Sequence, residues 1–196
     1  HTLLLTDDEG NTYGTLPDDE RILNADATMA LFLRGVTYSC TACMVRNIFR
    51  TPDPAREAYV TANRSIADFA LCMLYLDGGR VFVMDEAMSA YRVGGPAAEH
   101  KNYNTRASAV KKYADFLDVV LASRSYFGSR YPFTRCLLAG TFFPLIDRIK
   151  YGGLGPFLKE MGRLPAGAKL ALPFYFVGRC FGLVWAKLFG KKEAKR

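Results

Sequence analysis

Ile66-Ala67-Asp68-Phe69-Ala70-Leu71-Cys72-Met73-Leu74-Tyr75-Leu76-Asp77-Gly78-Gly79-Arg80-Val81-Phe82-Val83-Met84 changes its period partway along. Ile66, Phe69, Ala70, Met73 and Leu74 fall at helical spacing, one apolar stripe of an amphipathic helix. Asp77-Gly78-Gly79 is a fitting stop, and Arg80 to Met84 then reads as a strand. Helix, glycine turn and strand in this order predict an α/β arrangement. Upstream, the small and β-branched run 36–45 reads as a buried strand. The segment 51–56, with Pro52 and Pro54, reads as a loop. Downstream, 87–93 is a second extended piece, and Gly94-Gly95-Pro96 ends the compact region.

At the front, 1–6 reads as a short apolar strand, Asp7 to Asn11 as a turn and 12–15 as a second strand. Pro17-Asp18-Asp19-Glu20 opens a short helix, since proline and acids suit a first helical turn, and 27–33 reads as another. Val110, Tyr113, Ala114, Leu117, Val120 and Leu121 mark a helix over roughly 105–123. There is no internal repeat, and no signal peptide is expected from the residues at the front.

The chain of 196 residues carries a net charge of +7 that conceals two halves. Residues 1–99 hold eight Arg, no Lys and fourteen acids, a net −6; residues 100–196 hold eighteen Lys or Arg against five acids, a net +13. An acidic half followed by a basic one suggests two jobs. The basic half suits an anionic membrane surface, an anionic substrate or nucleic acid, or it is simply a solvated face. Five cysteines, an odd number, argue against a disulfide framework and for a reducing compartment. Cys40-Thr41-Ala42-Cys43 lacks the second pair or the His that a tetrahedral zinc site needs. In a strand its thiols would also face opposite ways, so small apolar filler is the better reading.

From about Tyr126 aromatic and aliphatic clusters alternate with Arg, Lys, Gly and Pro. The segment 170–189 is the most apolar and just long enough to span a bilayer, but Arg179 and Lys187 interrupt it. Helices lying in the membrane interface, followed by a polybasic Lys191 to Arg196, fit better. The competing reading is a helical subdomain packed on the core or on a second subunit.

The order of Ser39-Cys40-Thr41-Ala42-Cys43-Met44-Val45-Arg46, Ile66-Ala67-Asp68-Phe69, Asp77-Gly78-Gly79-Arg80-Val81-Phe82-Val83-Met84 and Ala90-Tyr91-Arg92-Val93 resembles the second half of the catalytic domain of bacterial family 2 glycosyltransferases. In that family the strand reads like T-x-x-x-R, the helix opens with Gly-Asp or Glu-Asp, and the last strand ends in Tyr-Arg. The likeness covers about a third of the chain. It implies a partial GT-A-type mixed sheet with covering helices over 1–100, and a basic helical extension, peripheral to the membrane, over 101–196.

The resemblance further implies inverting transfer from a nucleotide-sugar donor to a hydroxyl of a lipid-linked or polysaccharide acceptor, at the inner face of the plasma membrane. It makes Asp68 the catalytic base, able to take the acceptor's proton. The alternative is that Asp68 caps its helix, since Ser65 to Asp68 has capping-box spacing. Tyr91 and Arg92 would sit near the diphosphate, where Arg92 offers charge to the leaving group; the rival role for Arg92 is a salt bridge. Thr41, from the first motif, joins them on the substrate side. Many relatives carry a His after Tyr-Arg-Val; Gly94 stands there instead, and His100 is the candidate substitute. Ala67 in place of Gly or Glu is a milder departure.

Such an enzyme uses Mg²⁺ or Mn²⁺, and its ligands and donor-binding half are expected mostly outside this sequence, leaving the chain inactive alone. Asp7-Asp8-Glu9 could hold such an ion, but only 60 residues separate Asp8 from Asp68 where the family has nearer a hundred, and Gly10-Asn11 makes an ordinary hairpin turn. No GxGxxG, P-loop, HExxH or GxSxG occurs. The rival function is a non-catalytic scaffold module at the membrane periphery. A nucleic-acid partner is not expected, because the basic residues are interleaved with large apolar ones and carry no recognition motif.

Overall fold

The computed structural model describes residues 2–7, 9–16, 23–34, 43–45, 47–63, 66–92 and 106–189. Among these residues two small sheets precede a predominantly helical second half. β1 (Thr2–Thr6) pairs antiparallel with β2 (Thr12–Leu16). The turn between them closes as expected: the Asp7 amide donates to the Asn11 carbonyl at 3.0 Å, and Gly10 takes the left-handed backbone, φ 90°, that a side chain would resist. β3 (Ala25–Ala27) pairs antiparallel with β4 (Val81–Val83), and the Arg80 guanidinium forks onto one Asp26 carboxylate oxygen at 2.8 and 3.0 Å. β5 (Ala87–Arg92) joins the first sheet parallel to β1, giving the order β2-β1-β5 and a mixed sheet.

α1 (Met29–Phe32) is capped by Thr28, whose hydroxyl accepts from the Leu31 amide at 3.3 Å. α2 (Pro54–Ala62) corrects the expected loop at 51–56. Asp53 is its N-cap and Pro54 its first residue, where a missing N–H costs nothing. α3 (Ala67–Gly78) is the helix expected from its period, but it is buried on more than the expected stripe, since Cys72 is enclosed along with Ala70, Met73 and Leu74. The expected strand at 36–45 is described only over 43–45. There it has no regular structure, and Met44 and Val45 are exposed, so β-branched character did not bring burial. The rest of that segment and the helix expected at Pro17 lie outside the described residues.

α4 (Arg106–Phe127) is followed by a 3-10 turn (Gly128–Arg130), α5 (Phe133–Tyr151), α6 (Leu154–Met161) and α7 (Ala166–Phe189). Tyr113, Leu117, Val120 and Phe127 recur at helical spacing and bury one face of α4. Ser123 lies on that face and is fully buried, yet it is satisfied. Its hydroxyl donates to the Val119 carbonyl and shares a 2.6 Å hydrogen bond with the Tyr59 hydroxyl of α2. Thr141 of α5 repeats the device, bonding the Leu137 carbonyl and the Tyr113 hydroxyl at 2.9 Å. Gly140 lets α4 and α5 close up, because a Cβ there would overlap the Phe116 ring.

One buried cluster runs from Ala27, Met29 and Phe32 through Tyr59, Met73 and Leu74 to Leu117, Leu137, Phe157 and Leu172. It spans both sides of the boundary expected near residue 100. The protein is thus mixed α and β, with the helical half sharing the core of the sheet-bearing half.

Candidate functional site

Asp68 is the second residue of α3, after an N-cap, Ile66, that makes no side-chain capping bond. Ser65, the cap of the alternative reading, lies outside the described residues. The buried face of α3 packs against α1, α2 and α4, which fixes the helix, while Asp68 stands exposed in the first turn. Two further contacts hold the far end of α3. Asp77 accepts from the Arg130 guanidinium and from the Tyr131 hydroxyl, each at 2.6 Å. Burial first, and then Asp77, pushes the Tyr131 phenol above its ordinary range.

Tyr91 and Arg92 end β5 and are exposed. Arg92 lies opposite Thr6, and the Thr6 hydroxyl donates to the Tyr91 carbonyl at 3.5 Å. Because β1 and β5 run parallel, both carboxyl ends emerge on the same side. In open α/β sheets that is where ligands bind. The turn carrying Asp7 and Glu9 leaves β1 at that end.

The structure therefore places Tyr91 and Arg92 together beside the acidic turn. It places Asp68 on a different element with different packing partners: β5 pairs with β1, and α3 packs among helices. Thr41 and His100 lie outside the described residues.

The acidic turn is occupied with its own geometry. Asp7 accepts from the Asn11 amide at 2.7 Å with one oxygen and from the Asn11 side chain at 3.0 Å with the other. The Asn11 side chain is the main reason the Asp7 carboxyl lies below its ordinary value. No group of three His, Cys, Asp or Glu able to hold a metal occurs among the described residues. Asp8, between Asp7 and Glu9, lies outside the described residues, and the ligands of the divalent ion that the resemblance implies are expected mostly outside this sequence.

Sequence reasoning read Asp77 only as part of a helix stop and missed its role as a clamp. Its 3.6-residue offsets within α3 could not show partners more than fifty positions away. No helix among the described residues is long and apolar enough to cross a membrane. No protein-family model, curated protein or solved structure matches the chain.

Proposed function

We propose that the chain is the acceptor-side part of an inverting family 2 glycosyltransferase with a GT-A-type sheet. In this reading the nucleotide-sugar donor and its Mg²⁺ or Mn²⁺ are held by chain outside this sequence, and the acceptor is a lipid-linked or polysaccharide glycan. The acceptor hydroxyl gives its proton to Asp68 as its oxygen bonds to the anomeric carbon. The bond from that carbon to the nucleoside diphosphate breaks, and the leaving diphosphate's charge meets Arg92, with Tyr91 beside it. Thr41 and His100 complete the substrate side.

The observation that supports this best is the mounting of Asp68. The carboxylate is exposed in the first turn of a helix that Ala70, Cys72, Met73 and Leu74 lock into the core. A general base needs that combination of access and rigidity.

The test is Asp68→Asn in the full-length enzyme, incubated with a panel of nucleotide sugars and glycan acceptors while released nucleoside diphosphate is measured. Turnover should fall by about 10²–10⁴ with folding unchanged. Turnover equal to that of the parent would end the transferase reading.

A further inference from the structure

α7 has two faces with opposite fates. Ala168 and Leu172 are buried, and Tyr175 and Phe176 pack at 6.2 and 5.1 Å from the Phe142 ring of α5. On the other side Leu170, Phe174, Val177, Phe181 and Trp185 are 75%, 81%, 68%, 66% and 57% exposed. At 3.6 residues per turn these five positions fall within an arc of about 80° and form a ridge about 22 Å long. Phe181 and Trp185 stack along it, their ring centroids 6.0 Å apart. Single exposed apolar residues are ordinary on a protein surface; five in one uninterrupted stripe mark a contact surface.

The charge on this helix has one sign. The sequence of α7 contains Lys169, Arg179 and Lys187 and no acid, and Lys191, Lys192, Lys195 and Arg196 follow with only Glu193 against them. Lys169 is exposed one position from Leu170, about 100° round the helix, on the flank of the ridge. Arg179 lies on the far side, over the rings of Phe142 and Phe143 at 5.9 and 5.7 Å. A long apolar stripe with Lys169 on its flank, on a helix whose sequence carries cations and no acid and which is not long and apolar enough to span a bilayer, has the chemistry of a surface helix on anionic lipid.

We propose that α7 lies flat on an anionic bilayer and inserts the ridge from Leu170 to Trp185 among the lipid headgroups. The inference does not rest on the transferase reading. If both hold, the docked helix brings Asp68 to the membrane that carries lipid-linked glycans.

Trp185 is the single tryptophan of the chain, so its fluorescence reports on the ridge alone. The full chain is mixed with vesicles of phosphatidylcholine and phosphatidylglycerol in equal parts, and separately with phosphatidylcholine alone. With the anionic vesicles the protein should sediment, and Trp185 emission should shift to the blue and be quenched by brominated lipid tails. Neutral vesicles should bind at least tenfold more weakly. Phe174→Asp with Phe181→Asp, both at exposed positions, should abolish binding while circular dichroism stays unchanged. Lys169→Gln should weaken it roughly fivefold, the effect of about one surface charge.

An unquenched Trp185, or binding that survives the double Asp change, overturns the proposal, because the basic tail alone would then explain any attachment. A concentration-dependent dimer that the double change dissolves, without vesicle binding, also overturns it and makes the ridge a contact between copies. Asp68→Asn should bind vesicles as the parent does, so failure of either reading leaves the other standing.

Discussion

Asp53 accepts hydrogen bonds from the Ala55 and Arg56 amides at 3.0 and 3.1 Å with one oxygen, and from the Arg56 guanidinium at 3.0 Å with the other. The Arg56 amide contributes most to holding this carboxyl below its ordinary value of 3.8. A group whose folded pKa is depressed stabilises the fold fully above its unfolded pKa and loses that contribution as pH falls through the folded one. Asp53→Ala should therefore lower the thermal midpoint at pH 7. The gap from the parent should hold down to about the ordinary value and close below it, as followed by circular dichroism over an acid series. Cys136 shows the opposite cause: burial alone pushes its thiol up to about 12, so at neutral pH it is a packing residue rather than a nucleophile.

α6 is short, and it is held by one side chain more than by its length. Phe157 is fully buried, with its ring centroid 4.2 Å from that of Tyr113, and Arg163 just past the helix pairs with Asp118 of α4 and with Glu160. Phe157→Ala should cost about 3–5 kcal/mol in denaturant unfolding, the transfer loss plus the cavity. Tyr113→Phe keeps the ring contact and removes only the hydrogen bond to Thr141, so it should cost about 0.5–1.5 kcal/mol. Equal losses would show that the Phe157 ring holds α6 no more firmly than the Tyr113 hydroxyl ties α4 to α5.

At this scale the sequence was legible where one local signal decided the outcome. The spacing of Ile66 to Leu74 gave α3, and Gly10-Asn11 gave the hairpin. Two prolines at 52 and 54 carry a loop signal, but Asp53-Pro54 is equally a cap and first turn, and the structure uses it so. The ridge on α7 was present in the spacing of 170, 174, 177, 181 and 185. Which side α5 would cover depends on Phe142, and no local period contains that. For the same reason Asp68 and Tyr91-Arg92 could be placed at a helix start and a strand end, while their mutual position depends on how α3 and β5 are packed.

The charge asymmetry of the chain invites a division near residue 100, but the core does not respect it. Tyr59 of α2 stacks on Tyr126 of α4 at 4.7 Å and bonds Ser123, and burial pushes its phenol up to about 12. Asp77, at the end of α3, grips Arg130 and Tyr131 between α4 and α5. Residues 101–196 expressed alone would turn the α2- and α3-facing side of α4 to water, leaving Ser123 without its Tyr59 partner. A domain that folds alone needs its own enclosed core. The segment should keep helical far-ultraviolet circular dichroism, lose near-ultraviolet aromatic signal and bind a hydrophobic dye, as loosely packed states do. The full chain should show the aromatic signal and unfold in one transition. A sharp, dye-free transition from 101–196 alone would mean that the basic helical half is a domain in its own right, and that the contacts of Tyr59 and Asp77 are a docking surface between two folded units.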